Sequence, residues 1–142
     1  MERYTRRLDE YPFENTVRPT HIVIAHSDSQ YVVELGDRLL QRGCAVHFAR
    51  NGDQARLLAH HWRADVVVLD TDMHFESGWL TADKLGREDE NVRTILVAPE
   101  VTYRDRQLAR FVHAYAVVDQ LEGPEAIVDK LDEMEGATLA RK

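Results

Sequence analysis

The 142-residue length fits one domain with a single hydrophobic core, and the fractions of apolar residues (44%) and charged residues (30%) are ordinary for a globular protein. The formal net charge of −7 argues against general binding to nucleic acid or to an anionic membrane, which usually requires a basic face. The single cysteine, Cys44, allows no intrachain disulfide, and neither a signal-peptide pattern nor an apolar run of about 20 residues occurs. We therefore expect a cytoplasmic protein in which Cys44 is a small buried residue.

Three segments are predicted along the chain. Residues 1–19 mix charged residues, aromatic residues and prolines without periodicity, so we expect an N-terminal extension. Residues 20–135 alternate between short apolar runs and longer stretches with helical spacing, which predicts one domain. Residues 136–142, which begin with a glycine, are expected to form a flexible tail.

The first half of this domain contains two predicted strand–helix pairs. The first strand is followed by a helix that Asp28 or Ser29 can cap and that stops at Gly43. The second strand has a partly alternating pattern around His47, which favours an edge of the sheet. The next helix is amphipathic, with apolar residues at i, i+3, i+4 and i+7. The strands are predicted at 22–25 and 45–49, and the apolar face of the second helix at Ala55, Leu58, Ala59 and Trp62.

The second half contains three more predicted pairs. The most strand-like run of the sequence ends at Asp70, and a polar loop leads from it to a short helix around Trp79. The fourth helix begins near Thr102, and Pro124 opens the last helix at a position that tolerates proline. The strands are predicted at 66–69, 94–98 and 114–118.

Five strand–helix units predict an α/β fold, a doubly wound parallel sheet with helices on both faces. Right-handed crossovers favour the flavodoxin-like strand order 2-1-3-4-5. The first and third strands then flank the switch point, where such sheets bind ligands at the carboxyl ends of their strands. Those ends carry His26, Ser27 and Asp28 after strand one, and Asp70 and Asp72 at and after the end of strand three.

The chain resembles the receiver domain of bacterial response regulators over roughly positions 20–135. Run 66–69 with Asp70 is similar to the family's third strand and phosphoacceptor aspartate, and segment 77–80 is similar to the start of its third helix. Segment 123–125 also lies where the family has a similar signal. The resemblance implies a signal-transduction domain without enzymatic activity.

The resemblance also implies an active site of five parts, of which only the aspartate is present. The family has two acidic residues after strand one, where this chain has His26 and Ser27. It has a hydroxyl residue at the end of strand four and a lysine at the end of strand five, where this chain has Ala98 and Gln120. The aromatic switch residue of strand five corresponds to Val117.

These substitutions predict a pseudo-receiver in which Asp70 is not phosphorylated. Phosphoryl transfer to a carboxylate brings two anions together, so it depends on positioning and charge neutralisation. Mg²⁺ prefers carboxylate ligands, and neutral Gln120 cannot supply the charge of an ammonium group. We therefore expect a phosphorylation-independent protein-interaction or dimerisation module that uses no cofactor.

Two alternatives use the same cluster. In the first, Asp28, Asp70 and Asp72 form an altered Mg²⁺ site and Asp70 is a working phosphoacceptor. In the second, the chain is a small-ligand or metal-binding flavodoxin-like module, with His26 and His74 beside the carboxylates.

A mixed aromatic and basic stretch marks the predicted fourth helix and fifth strand. In the family that the chain resembles, the face made by helix four, strand five and helix five often carries the dimer contact, which predicts a homodimer or another partner here. The alternative is a solvent-exposed helix face over a core stripe. The chain after residue 135 is too short for a DNA-binding output domain, so we expect either that it acts through a protein partner without contacting nucleic acid directly or that it is a fragment of a larger protein. The stretch comprises Tyr103, Arg104, Arg106, Arg110, Phe111 and Tyr115.

Overall fold

In a computed structural model of the chain, the structure describes residues 18–140, so most of the predicted N-terminal extension lies outside the described residues. Within residues 18–140, five strands alternate with five helices, and a short 3-10 helix, Gln120–Glu122, follows β5. The strands are β1 His21–Ala25, β2 Ala45–Ala49, β3 Val66–Asp70, β4 Arg93–Ala98 and β5 Ala116–Asp119. The helices are α1 Ser29–Gln41, α2 Gly52–Trp62, α3 Gly78–Glu88, α4 Tyr103–Phe111 and α5 Glu125–Ala140.

The sheet is parallel and has the order β2-β1-β3-β4-β5, which confirms the predicted flavodoxin-like fold. Strand β2 lies at an edge, as its alternating pattern indicated. Strands β1 and β3 pair at the centre, so the switch point lies between their carboxyl ends.

Side chains of each strand divide between two hydrophobic clusters, one on each face of the sheet. In β1, Ile22 and Ile24 face α1 and α5, whereas Val23 and Ala25 face α2 and α3. Every residue of β3 is buried, which explains why its sequence is a continuous apolar run. Cys44 is half-buried against the first cluster, and not fully buried as predicted.

Helix ends follow local capping rules. Asp28 accepts hydrogen bonds from the amides of Gln30 and Tyr31 and caps α1, as predicted. Thr102 caps α4 in a capping box. Helix α5 continues through Gly136 to Ala140, so the tail predicted from residue 136 begins within a helix. No helix within residues 18–140 is long and apolar enough to cross a membrane.

Candidate functional site

Asp70 ends β3 at the switch point and is almost completely buried, with 4% of its surface exposed. The hydroxyl of Ser27 donates to its Oδ2 over 2.6 Å, and the Ser27 amide donates to the same oxygen over 3.1 Å. The amide of Asp72 donates to Oδ1 over 2.9 Å. Both carboxylate oxygens therefore have partners from within the chain.

These contacts keep Asp70 anionic. Burial by itself raises the pKa of the Asp70 carboxyl, because a charged group is poorly solvated inside a protein. Hydrogen bonds from Ser27 and Asp72, together with the nearby His26, outweigh burial and hold the pKa below its ordinary value. The carboxylate is consequently charged at neutral pH although no lysine or arginine among residues 18–140 contacts it.

His26 fills the space beside Asp70 with a neutral ring. Its side chain is 1% exposed, and its Nδ1 lies 3.6 Å from Asp70 Oδ2 and accepts the Asp28 amide over 3.0 Å. Burial lowers the pKa of His26 in spite of the charge on Asp70, so the imidazole is neutral at pH 7. The ring stacks on Tyr31 at 4.7 Å between centroids. No hydrogen-bond partner for His26 Nε2 or the Tyr31 hydroxyl lies within the described part of the chain.

Asp28 and Gln120 join the first and fifth strand ends. Oδ1 of Asp28 caps α1, and its Oδ2 accepts the Gln120 side-chain amide over 2.9 Å. Gln120 is the first residue of the 3-10 helix that follows β5. The structure therefore brings five predicted site residues together: His26, Ser27, Asp28, Asp70 and Gln120.

Several solved structures share this fold. A CheY-like response regulator receiver domain protein from Methanospirillum hungatei is 14% identical, and the match covers 88% of this chain and 100% of that chain with a TM-score of 0.79. The chain has the CheY-like receiver fold. Chemotaxis protein CheY4 from Vibrio cholerae is 18% identical over 82% of this chain and 98% of its own, with a TM-score of 0.74. No family model matches the chain, and no curated protein matches it in sequence.

A third match with the receiver fold is a response regulator from Burkholderia pseudomallei whose structure contains a phosphorylated aspartic acid, a calcium ion and citrate. It is 17% identical, and the match covers 87% of this chain and 75% of that chain with a TM-score of 0.70. At such low identities the likeness establishes the fold, and the chemistry has to be argued from this chain's own residues.

Two further positions taken from the resemblance, Ala98 and Val117, lie on β4 and β5. Val97 pairs with Asp70 in the sheet, and the buried Ala98 that follows it ends β4 and offers only a methyl group. Val117 is half-buried in β5 and packs against the α2–α3 side of the core. Neither residue can form a hydrogen bond through its side chain.

The predicted Mg²⁺ ligands do not form a ligand set. Mg²⁺ requires near-octahedral oxygen coordination, and its carboxylate ligands need free lone pairs that point at one centre. Asp28 serves the α1 cap and Gln120, Asp70 accepts three hydrogen bonds, and the side chain of Asp72 is exposed. No group of three His, Cys, Asp or Glu side chains within residues 18–140 is placed to hold a metal ion, and His74 is exposed against Phe75. The residues present therefore do not fit Mg²⁺.

A buried glutamate that the sequence did not single out anchors the loop after β3. Glu76 accepts the hydroxyl of Thr81 over 2.6 Å and the ammonium of Lys84 over 2.8 Å, and Arg56 of α2 donates to it over 3.3 Å. Burial raises the pKa of Glu76, but these three partners outweigh it and hold the pKa below its ordinary value. Residue spacing offered no signal for this contact, because Arg56 precedes Glu76 by 20 residues and lies on helix α2, whereas Glu76 lies in a loop.

Gly78 brings the start of α3 against the end of β3. A Cβ at this position would lie 2.2 Å from the carbonyl oxygen of Asp70, closer than real Cβ atoms approach. The glycine is therefore required by the close approach, and it was predicted only as part of the third helix start.

A cavity at the other end of the strands lies away from this site. A cavity of about 740 Å³ opens at the opposite, amino end of the strands, with Arg42, Arg93 and Leu131 among its lining residues. Asp70 does not line it. The Asp70 cluster and this cavity are therefore separate.

Proposed function

We propose that this chain is a pseudo-receiver, a non-enzymatic cytoplasmic domain of a signalling pathway that binds a protein partner independently of phosphorylation. One observation carries this proposal: three hydrogen bonds from Ser27 and Asp72 use most of the lone pairs of Asp70, two on Oδ2 and one on Oδ1. Attack through Oδ2 requires its Ser27 bonds to break, and attack through Oδ1, which keeps one lone pair, depends on neighbours that neutralise the phosphoryl group.

Breaking those bonds is unfavourable. A hydrogen bond to a charged group contributes about 1.5–3 kcal/mol, and Oδ2 accepts two of them from Ser27. The groups around Asp70 also do not neutralise an incoming phosphoryl group. His26 is neutral at pH 7, Ala98 offers no donor, and the amide of Gln120 is already bonded to Asp28.

The alternative function is a phosphoacceptor response regulator, and the anionic state of Asp70 favours it. The matched Burkholderia pseudomallei structure contains a phosphorylated aspartic acid together with a calcium ion. For this chain to do the same, Asp70 and Asp72 would have to give up their present contacts and arrange around a cation. This alternative predicts a labile acyl phosphate that is absent in Asp70→Asn.

The α4–β5–α5 face is the surface that we propose for the partner. Tyr103 and Phe111 are each 75% exposed at the two ends of α4. Three exposed arginines lie between them, and none forms an ion pair within residues 18–140. Helix α5 carries Glu133, whose carboxylate accepts the Tyr115 hydroxyl at this face, so a second copy offers complementary charge, which supports a homodimer through this face. The arginines are Arg104, Arg106 and Arg110.

Phosphorylation independence is tested by adding beryllofluoride or acetyl phosphate with Mg²⁺ and following amide resonances around Asp70 by NMR. We expect no saturable shift at millimolar Mg²⁺, because Asp70 is held by Ser27 and Asp72 and its neighbours His26, Ala98 and Gln120 supply no positive charge. Asp70→Asn is the matched control, since it removes the charge and keeps the shape. Saturable shifts in the wild type that vanish in Asp70→Asn would overturn the pseudo-receiver and establish the phosphoacceptor.

A further inference from the structure

Two histidine rings are hydrogen-bonded to each other between the first two strands. Nδ1 of His21, the first residue of β1, lies 2.9 Å from Nε2 of His47 in the middle of β2. Val23 pairs with His47 in the parallel register, so His21 is the diagonal neighbour of His47 on the same face of the sheet. The two ring planes differ by only 5° and the centroids are 5.2 Å apart, so the hydrogen bond joins the rings edge to edge.

The indole of Trp62, the last residue of α2, covers this histidine pair. It stacks on His47 at 4.5 Å between centroids and on His21 at 5.8 Å, with interplanar angles of 14° and 15°. His61 meets the same indole edge-on at 5.0 Å. One aromatic cluster therefore connects β1, β2 and the end of α2, and both histidines of the pair are half-buried in it.

The titratable groups around the histidine pair disfavour a positive charge there. Arg18 and Asp65 face His21 and form an ion pair with each other at 2.9 Å, and His61 is the titratable neighbour of His47 on α2. Burial is the main reason that the pKa values of His21 and His47 lie below the ordinary value of 6.5. Arg18 lowers the pKa of His21 further against the opposing charge of Asp65, and the neighbouring imidazoles lower that of His47. Both rings are therefore neutral at pH 7.

The hydrogen bond between the rings limits how many protons the pair can hold. With both rings neutral, one of the two facing nitrogens donates its N–H and the other accepts it. A first added proton preserves this bond, because a charged ring still donates to its neutral neighbour. A second added proton makes both facing nitrogens donors, so two N–H groups and two positive charges oppose each other over 2.9 Å. The rings then have to separate.

We propose that the His21–His47 pair under Trp62 is a pH-sensitive switch, which holds β2 and the end of α2 against β1 at neutral pH and loosens them in mildly acidic solution. Strand β2 is suited to this movement, because it lies at an edge and pairs only with β1 within the described residues. The switch does not depend on the proposed pseudo-receiver function, since His21 begins β1 whereas Asp70 ends β3 at the opposite end of the parallel sheet.

Nitrogen-15 NMR of the imidazole rings in the full chain, between about pH 4.5 and 8, tests the switch. At the upper end we expect one proton between Nδ1 of His21 and Nε2 of His47, with one of these nitrogens bonded to it and the other accepting it. On acidification the two rings should titrate in coupled steps below the ordinary value of 6.5. The exposed His60 provides an internal reference in the same spectra. Two rings that titrate independently of each other at pH 6.5 or above would overturn the proposal.

Fluorescence of Trp62 reports the separation of the rings, because a charged imidazole in contact quenches an indole and loss of the stack exposes it to water. Trp79→Phe leaves Trp62 as the single tryptophan of the chain. In this background we expect the emission to change over the same pH range as the histidine signals, and His47→Gln should remove the change, since an amide does not titrate. His60→Gln is the matched control and should keep the change. Emission that follows the same pH curve with and without His47→Gln would overturn the switch.

Stability against pH provides a readout that needs no tryptophan substitution. Because the folded pKa values of the pair lie below 6.5, the stability that the neutral pair contributes is present above pH 6.5 and is lost as the pH falls through the folded values. The unfolding equilibrium constant then rises by up to about tenfold per pH unit for each additional proton that the unfolded chain binds. Urea unfolding between about pH 7 and 5 should show a less steep rise in His47→Gln than in the wild type and in His60→Gln. The buried His26 titrates in all three proteins and does not affect the comparison. Equal slopes in the wild type and His47→Gln would contradict the switch.

Discussion

Replacing Ser27 with alanine tests whether hydrogen bonds within the chain hold Asp70 in its buried, anionic form. The Ser27 hydroxyl makes the shortest of the three bonds that this carboxylate accepts, at 2.6 Å. The variant removes only this bond, because the amides of Ser27 and Asp72 remain. Ser29→Ala is a matched control, since Ser29 is exposed and its side chain makes no hydrogen bond within the described residues.

We expect Ser27→Ala to lower the free energy of unfolding at pH 7 by about 2 kcal/mol, the middle of the range for a hydrogen bond to a charged group. The loss does not reach the top of this range because, although Asp70 is 4% exposed, Ser27 itself is exposed, so water partly replaces its hydroxyl. For a chain of 142 residues this corresponds to a fall in Tm of about 6–8 °C. Ser29→Ala should change the free energy by less than about 0.5 kcal/mol. Urea unfolding followed by circular dichroism measures both variants.

Comparing the free energies of unfolding of wild type and Ser27→Ala at acidic pH tests how much of the stability loss depends on the charge of Asp70. The pKa of Asp70 is lower in the folded protein than its ordinary value of 3.8, so its contribution to stability is present above pH 3.8 and is lost as the pH falls through the folded pKa. The free energies of unfolding of the wild type and of Ser27→Ala should therefore become more similar below pH 3.8. Equal stabilities at pH 7, or a difference that does not narrow in acid, would refute the reasoning.

Two other substitutions test the packing around the site. Gly78→Ala would place a Cβ 2.2 Å from the Asp70 carbonyl oxygen, so we expect the Tm of this variant to fall by several degrees. Gly136→Ala is the control and should not lower Tm, because a Cβ there meets nothing within 4 Å. Equal changes in Tm for the two variants would contradict the close approach at Gly78. Glu76→Gln should lower the free energy of unfolding by about 1–2 kcal/mol at pH 7, because the partly exposed Lys84 loses its charged partner. Since the pKa of Glu76 lies below its ordinary value of 4.5 in the folded protein, this loss of stability should shrink as the pH falls below 4.5. Urea unfolding of both proteins at pH 7 and at a pH below 4.5 measures the loss. An equal loss at both pH values would show that the charge of Glu76 is not its cause.

Local sequence was sufficient for most of the fold. Features that depend on residues within a few positions of one another can be predicted from the sequence pattern. They include the apolar strand runs, the Asp28 cap and the start of α4 near Thr102. The fifth strand is less regular: it was predicted at 114–118 and observed as Ala116–Asp119. The amide of Ala114 donates to the carbonyl of Ala109 and closes α4, so this apolar residue belongs to the helix end. Hydrophobicity alone does not mark where the pairing of β5 with β4 begins.

Only the tertiary structure decided how the polar groups of the site are paired. Gln120 bonds to Asp28 across 92 residues, and Glu76 meets Arg56 from helix α2. Position in the sequence made Asp28 and Asp72 candidate metal ligands, yet one is used as a helix cap and the other is exposed. Pairing of buried polar groups depends on which distant side chains reach them once the elements pack together. The sequence by itself determined where the site lies around Asp70, and the tertiary structure determined that this carboxylate is satisfied from within the chain.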